Sequence, residues 1–379
     1  MQSKSPPVRI ERPEHMTSQG PNKRPRFIGY LLALTLTLVS LWMQPPQAMA
    51  VLIDSGDGTG NVTAPANDPG FGHIADIKGL AGVYLQNGWV LTAYHVGSGD
   101  IELNGVTYPS VPGSFQRVPS SQGDTPDLAL IKLVGDSGLP PMSLATQAPP
   151  TNAELTLIGN GRSRGTALTW SGLGGWNYAY PFVKRWGTNR IDTPSITLSD
   201  TESFTLAFDA PNDPTYTTHE AIATVGDSGG GVFHETSTGW VLAGTMFATS
   251  KLQNQPASTA LYTNVTYAAD IATYRADILS VISVPDCANG LDDDLDGQID
   301  AGGDPGCDNA ADASEQSSAL KCDNGIDDDT DGLIDYPNDP YCTSSTTASE
   351  APPVPLLNGF SALFVSLSLA ATGFRKALG

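Results

Sequence analysis

Residues 82–96 read GVYLQNGWVLTAYHV, two short apolar runs on either side of Asn87-Gly88. Asn-Gly tolerates two successive positive φ angles, so this stretch reads as a tight β-hairpin. Its second strand runs directly into Tyr94-His95. Outward from it, Phe71 to Ile282 keeps alternating short apolar runs with turn residues, the pattern of an all-β barrel or sandwich. Further strands are expected at Leu128–Val134, Glu154–Ile158, Ser203–Phe208, Gly231–His234, Trp240–Phe247 and Ala260–Val265. One helix interrupts the pattern near the end of this region. Ile271, Tyr274, Ile278 and Val281 recur at spacings of three and four, a single apolar stripe suited to packing on the barrel. Val51 to Gly70, rich in Gly, Asp, Asn and Pro, reads as an extended lead-in.

The composition agrees. Forty glycines and 29 prolines in 379 residues imply many turns, and 40% hydrophobic residues suffice for a sizeable core. The net charge of −21 is concentrated: Asp286 to Glu350 holds 18 acidic residues against Lys321 alone. No basic surface suited to neutralising phosphates is present, so a nucleic-acid partner is not expected. All four cysteines, Cys287, Cys307, Cys322 and Cys342, lie in that acidic segment, so the β region must fold without disulfides.

Three side chains in the β region carry a chemical pattern. Ser228 sits in Gly226-Asp227-Ser228-Gly229-Gly230, where glycines allow the sharp bend that exposes a nucleophile and turns amides toward a substrate carbonyl. The amides of Gly226 and Ser228 are the expected oxyanion donors. A serine hydroxyl needs a base, and His95 follows an apolar strand; an imidazole titrates near neutral pH and can take and return a proton. Asp127, at the head of PDLALIKL, can accept the imidazole Nδ1–H and fix its tautomer. Asp124 and Asp100 are weaker alternatives. His73, His219 and His234 lie in no metal-spaced cluster and read as turn or core residues.

WVLTAYHV, PDLALIKL and GDSGGGVF resemble, in that order, the His, Asp and Ser blocks of the trypsin-like serine proteases, and ALYTNVTYAADIATYRADILSVI is similar to their closing strand and helix. The resemblance spans about Gly79 to Ile282. It implies two six-stranded β-barrels of the chymotrypsin type, the triad in the cleft between them, and endopeptidase activity on proteins or peptides with no catalytic cofactor. It also implies that Ile222, six residues before Ser228, forms the base of the specificity pocket, with the other wall drawn from Gly244 to Thr249. No carboxylate stands at 222, so a strict preference for Arg or Lys is not expected. The sequence departs from the family in two places. Val96 stands where a cysteine usually follows the base histidine, and no Ile-Val-Gly-Gly start is present. By the same resemblance, a freed amine at Val51 would pair with Asp227.

The acidic segment is a repeat with a period of 35 residues. Asp292, Asp294, Asp296, a glycine and Asp300 in the first copy correspond to Asp327, Asp329, Asp331, a glycine and Asp335 in the second. Oxygens at loop positions 1, 3, 5 and 9 with glycine at 6 match the first part of an EF-hand-type calcium loop. Position 12 holds Gly303 or Asn338 instead of glutamate; Asp304 and Asp339, one place later, can substitute. These segments resemble the Asp-rich calcium modules of secreted bacterial proteins, akin to thrombospondin type-3 repeats, which implies bound Ca²⁺; a solvated acidic stalk is the alternative. Four cysteines allow three pairings, of which Cys287–Cys307 with Cys322–Cys342 is the simplest.

The ends carry targeting signals. Lys23, Arg24 and Arg26, an apolar run and Ala48-Met49-Ala50 read as a secretory signal peptide cleaved before Val51, the Ala-x-Ala site favouring this over an N-terminal membrane anchor. Leu356 to Phe374 is apolar and long enough to cross a bilayer, and Arg375-Lys376 follows. It resembles the PEP-CTERM sorting tails of Gram-negative bacteria, without a clean Pro-Glu-Pro; this implies membrane attachment and a processing protease acting on the tail, with a plain transmembrane anchor as the alternative. The expected organisation is leader and signal peptide (1–50), protease domain (51–284), two repeats (285–345), and Pro-rich linker with membrane segment (346–379). The expected function is a secreted or envelope-anchored serine endopeptidase, against the alternative of a catalytically inactive adhesion or binding module on a calcium-stabilised stalk.

Overall fold

In the computed structural model, residues 51–352 are described; the expected signal peptide and C-terminal membrane segment lie outside them. Among the described residues no helix is long and apolar enough to cross a membrane. The hairpin that opens the sequence is present: Leu80–Gln86 pairs antiparallel with Trp89–Thr92 across Asn87 (φ 50) and Gly88 (φ 74). Positive φ at both turn residues matches the right-handed twist of the strands. The hairpin is the centre of a seven-stranded sheet whose order is Val106–Tyr108, Ile101–Leu103, Ile74–Ile77, Leu80–Gln86, Trp89–Thr92, Ala129–Lys132 and Gln116–Arg117.

The second half closes on itself. Arg185–Leu198, Thr201–Ala207, Val265–Asp270, Gly239–Thr249, Gly231–Thr236 and Glu154–Gly159 form a six-stranded antiparallel barrel. The architecture is therefore the chymotrypsin-type double barrel, with one difference from expectation: the first half is an incompletely closed seven-stranded sheet. Two smaller sheets flank the closed barrel, one of Arg162–Trp170, Leu173–Phe182 and Thr259–Leu261, the other pairing Leu52–Ile53 with Ala221–Ile222. The expected strand at Ala260–Val265 is divided, because Thr263 takes φ 81 between Thr259–Leu261 and Val265–Asp270.

The helix Ile271–Ile282 starts where Asp270 accepts a bond from the Ala272 amide at 3.1 Å, a side-chain cap on an otherwise orphan donor. It buries Ile271, Tyr274, Ile278 and Ile282; Val281 lies at the edge of the stripe. These side chains join the first sheet's core, which includes Val83, Trp89, Leu91 and Leu130. The second barrel has its own core around Leu157, Phe204, Leu206, Val232 and Met246.

The repeats follow the helix and pack against the first sheet. Lys132, at the end of Ala129–Lys132 and only 2% exposed, reaches Asp286 at 2.5 Å and Asp293 at 3.0 Å. The disulfides are Cys287–Cys307 and Cys322–Cys342, one within each repeat.

Candidate active site

His95 lies just past the strand Trp89–Thr92, in a single turn spanning Tyr94–Val96. Asp127 immediately precedes the neighbouring strand Ala129–Lys132, so the pairing Thr92↔Ala129 places the two side chains side by side. The Asp127 carboxylate grips the histidine twice: Oδ1 accepts the His95 backbone N–H at 3.0 Å, and Oδ2 lies 2.7 Å from the ring Nδ1. The other ring nitrogen, Nε2, lies 2.8 Å from Ser228 Oγ. Three residues drawn from both barrels thus form one continuous hydrogen-bonded line. His95 does not bond to Asp100 or Asp124 among the described residues.

Ser228 is held from both sides. Its carbonyl accepts the Ala81 amide at 2.9 Å, and Gly229 and Gly230 pair with Met246 of the closed barrel. Gly229, at φ 87, leaves no room for a Cβ, which would collide with Ala81 O and Thr92 Oγ1. Gly226 takes φ 110, also a glycine conformation. Among the described residues neither the Gly226 nor the Ser228 amide has an acceptor, so both donors remain available beside the serine.

The electrostatics follow from these contacts. The Asp127 side-chain bond, aided by its charge, raises the His95 pKa above 6.5 against the opposing effect of burial. For Asp127, burial pushes upward, but the bonds from His95 outweigh it and hold the carboxyl below its usual value. Asp227 differs: it is wholly buried, and burial raises it to about 7 although Thr224 and Gly161 donate to it.

The pocket residues require two corrections. Ile222 does not line the cleft. It pairs with Leu52 and buries its side chain against Leu52, Phe208 and Ala260. Gly244 lies inside the closed barrel, where a Cβ would meet the Phe204 ring at 2.6 Å. The cleft beside Ser228, about 280 Å³, is lined instead by Leu80, Ala223–Val225 and Met246–Thr249. Met246–Thr249 of the expected wall Gly244–Thr249 do line the cleft; Gly244 itself is claimed by the barrel interior, and Ile222 gives way to its neighbour Ala223 because a strand pairing claims it. Val51 is buried in the second core together with Ala223, and Leu52 pairs five residues before Asp227.

Several positioning groups escaped the sequence reading. Thr201 Oγ1 accepts the Asp127 amide at 2.9 Å, and Thr92 Oγ1 donates to Ala81 O at 2.7 Å. A lone threonine gives no local signal for either role.

Residues 81–243 match the family profile of the trypsin-like peptidase domain. That match covers rather less than half of the chain. No curated protein matches the sequence. Among solved structures, similarity is found to the active form of the Rv3671c protease of M. tuberculosis, with 16% identity over 59% of this chain and 91% of that one, at a TM-score of 0.37. Mouse neuropsin, a serine protease, gives 18% identity over 59% and 98%, at 0.39. Kallikrein-related peptidase 10 gives 16% over 58% and 99%, at 0.38.

In the repeats, the structure gathers carboxylate oxygens of Asp292, Asp294 and Asp296 within 4.8 Å of one another, and likewise Asp327, Asp329 and Asp331. Asp300 and Asp335 point elsewhere. Asp300 receives the Gly290 amide, and Asp335 receives those of Asn324 and Gly325, so each carboxylate closes the start of its own loop. Buried oxygens without a hydrogen-bond partner remain on Asp292, Asp294, Asp304 and Asp339. Glu315 and Glu350, not singled out in the sequence, are each 1% exposed and bind loop amides: Glu315 those of Asp293 and Asp300, Glu350 those of Asp328 and Asp335. Ala-Ser-Glu at 313–315 and again at 348–350 keeps the 35-residue period and was the available signal. Cys307 and Cys342 lie beside Asp304 and Asp339, but as disulfides they offer no thiolate.

Proposed function

We propose that this chain is a serine endopeptidase in which Ser228 is the nucleophile, His95 the base and Asp127 its orienting partner. The observation that carries this reading is the imidazole bridging Ser228 Oγ and Asp127 at 2.8 and 2.7 Å. Ser228 Oγ attacks the scissile carbonyl carbon while its proton passes to His95 Nε2. The resulting oxyanion takes bonds from the Gly226 and Ser228 amides. His95 then gives the proton to the departing amine as the C–N bond breaks, leaving an acyl-enzyme. Water repeats the sequence and frees the acid. Asp127 keeps Nδ1 protonated and offsets the charge that His95 gains. The test is covalent labelling with a fluorophosphonate. Label on the wild-type chain and none on Ser228→Ala is expected; a wild-type chain that stays unlabelled leaves only a protease-fold binding module.

We further propose that the repeats bind calcium. The clusters Asp292/Asp294/Asp296 and Asp327/Asp329/Asp331, with the orphaned, buried carboxylate oxygens of Asp304 and Asp339 in electrostatic reach of them, form a hard oxygen donor set that suits this ion. The ion would neutralise carboxylates that otherwise repel one another. Calorimetric titration with CaCl₂ should show two sites, and loss of one in Asp304→Asn.

Export and attachment complete the reading: cleavage after Ala50, and envelope anchoring or sorting through the C-terminal segment. A new amine at Val51 would then be available to the buried Asp227. Sequencing the mature N-terminus tests this, since an active enzyme beginning elsewhere would remove the pairing.

A further inference from the structure

Resting on the peptidase reading, we propose that the site cuts after small to medium uncharged apolar residues, and that Ala223 and Met246 set this preference. The cleft beside Ser228 offers a substrate side chain only Leu80, Ala223–Val225 and Met246–Thr249 besides the reactive groups. Two ionisable residues border it, His95 and Asp227. His95 is engaged with Ser228 and Asp127. Asp227 is 0% exposed, with Oδ1 taken by the Gly161 amide and Oδ2 by Thr224. A lysine or arginine side chain entering the cleft would shed its water and find no free carboxylate, a loss that an apolar wall does not offset. An acidic side chain would find no cation.

Size is limited in the same place. Ile222, which stands next along the chain, is withdrawn into the core, so Ala223 closes that side with only a methyl group. Met246 fills the space behind. It is 1% exposed, shares a core cluster with Ala223, and brings its Cε within 2.6 Å of where a Cβ on Gly230 would stand. Val, Ala and Leu side chains match such a lining; a large aromatic would reach deepest toward Met246. A mismatch of one methylene in an apolar pocket changes kcat/KM by roughly 10–200-fold, so the preference will be readable.

The experiment is a series of otherwise identical peptides bearing Ala, Val, Leu, Phe, Arg or Asp before the scissile bond, assayed with the full chain alongside fluorophosphonate labelling. The wild type should favour Ala, Val or Leu over Arg and Asp by about 100-fold or more in kcat/KM. Met246→Ala should move the optimum toward Leu or Phe, and Ala223→Asp should confer cleavage after Arg; the label reports that each variant retains a formed site. A labelled wild-type enzyme that cleaves after Arg as well as after Val overturns the proposal while leaving the peptidase reading intact. So does a labelled Met246→Ala enzyme with an unchanged ranking. A wild-type chain that takes no label overturns both.

Discussion

From Val51 to Ile282 the chain buries hydrocarbon; from Asp286 to Glu350 it buries carboxylates. The body contains no cysteine, and its cores are Val, Leu, Ile, Ala and aromatic side chains at or near zero exposure. In the repeats the buried residues include Cys287, Cys322, Cys342, Asp293, Asp304, Asp339, Glu315 and Glu350, while Ile299, Ile326, Leu333 and Ile334 face solvent. A segment this short in apolar contacts cannot offset its own chain entropy by burial. It uses crosslinks and carboxylate-to-amide bonds instead. One chain therefore holds two solutions to folding, and it is the first that brings His95, Asp127 and Ser228 into one hydrogen-bonded line.

The sharpest test of that contrast lies in the body. Ser228→Ala should lower kcat/KM by roughly 10⁶-fold, as loss of a nucleophile does when the triad acts as a unit. It should leave the melting temperature and both disulfides unchanged, because Ser228 Oγ bonds only to His95 among the described residues. A large drop in stability would mean that this hydroxyl is structural.

The junction offers the next largest effect. Lys132 is buried between Asp286 and Asp293, and burial raises Asp286 to about 6 despite its ammonium partner. The short contacts and the near-complete burial of Lys132 make this an engaged ion pair. Lys132→Met leaves two carboxylates without a counter-charge and should cost about 3–5 kcal/mol in chemical unfolding. If the regions are energetically separate, the variant will instead match the wild type.

Within the repeats, each disulfide closes a loop with a sequence separation of 20 residues and should contribute about 3 kcal/mol to its own repeat in the chain-entropy view. Reduction should therefore loosen amide exchange protection around Asp292–Asp304 and Asp327–Asp339. Peptidase activity should survive, because no cysteine lies in the body. Activity lost in step with the thiols would break the comparison.

How much of this was legible in the sequence varies with the kind of interaction. The hairpin at Asn87-Gly88 was readable because local sterics alone select it. That His95, Asp127 and Ser228 would meet was readable because their blocks occur in order. The long strands Arg162–Trp170, Leu173–Phe182 and Arg185–Leu198 were not: most of their side chains are half-buried or exposed, so little hydrophobic contrast marks them. Ile222 was placed in the pocket by its distance from Ser228, but a pairing with Leu52, 170 positions earlier, decides where its side chain goes. In the repeats, spacing found the aspartates without telling which ones face the cluster. Asp300 and Asp304 differ only in what the folded loop asks of them.

The smallest expected change is the most specific: a shift in a pH midpoint. The bond to Asp127, chiefly, lifts the His95 pKa above 6.5. In the proposed mechanism the base must be neutral to accept the Ser228 proton, so kcat/KM should rise with pH along a limb whose midpoint lies above 6.5. Stability runs the other way. A group whose folded pKa exceeds its unfolded one contributes stability below the unfolded value and loses it as pH rises through the folded value. Across that window the body becomes more active as the His95 contribution to stability fades. That contribution is small, since the His95 side chain is 45% exposed and solvent screens the pair. Asp127→Asn removes the carboxylate that raises the pKa and leaves burial to lower it, so in the residual activity the midpoint should fall below 6.5. A pH–rate profile measured beside a pH–melting profile separates the two trends. An unshifted midpoint in Asp127→Asn would mean that the carboxylate orients the ring without tuning it.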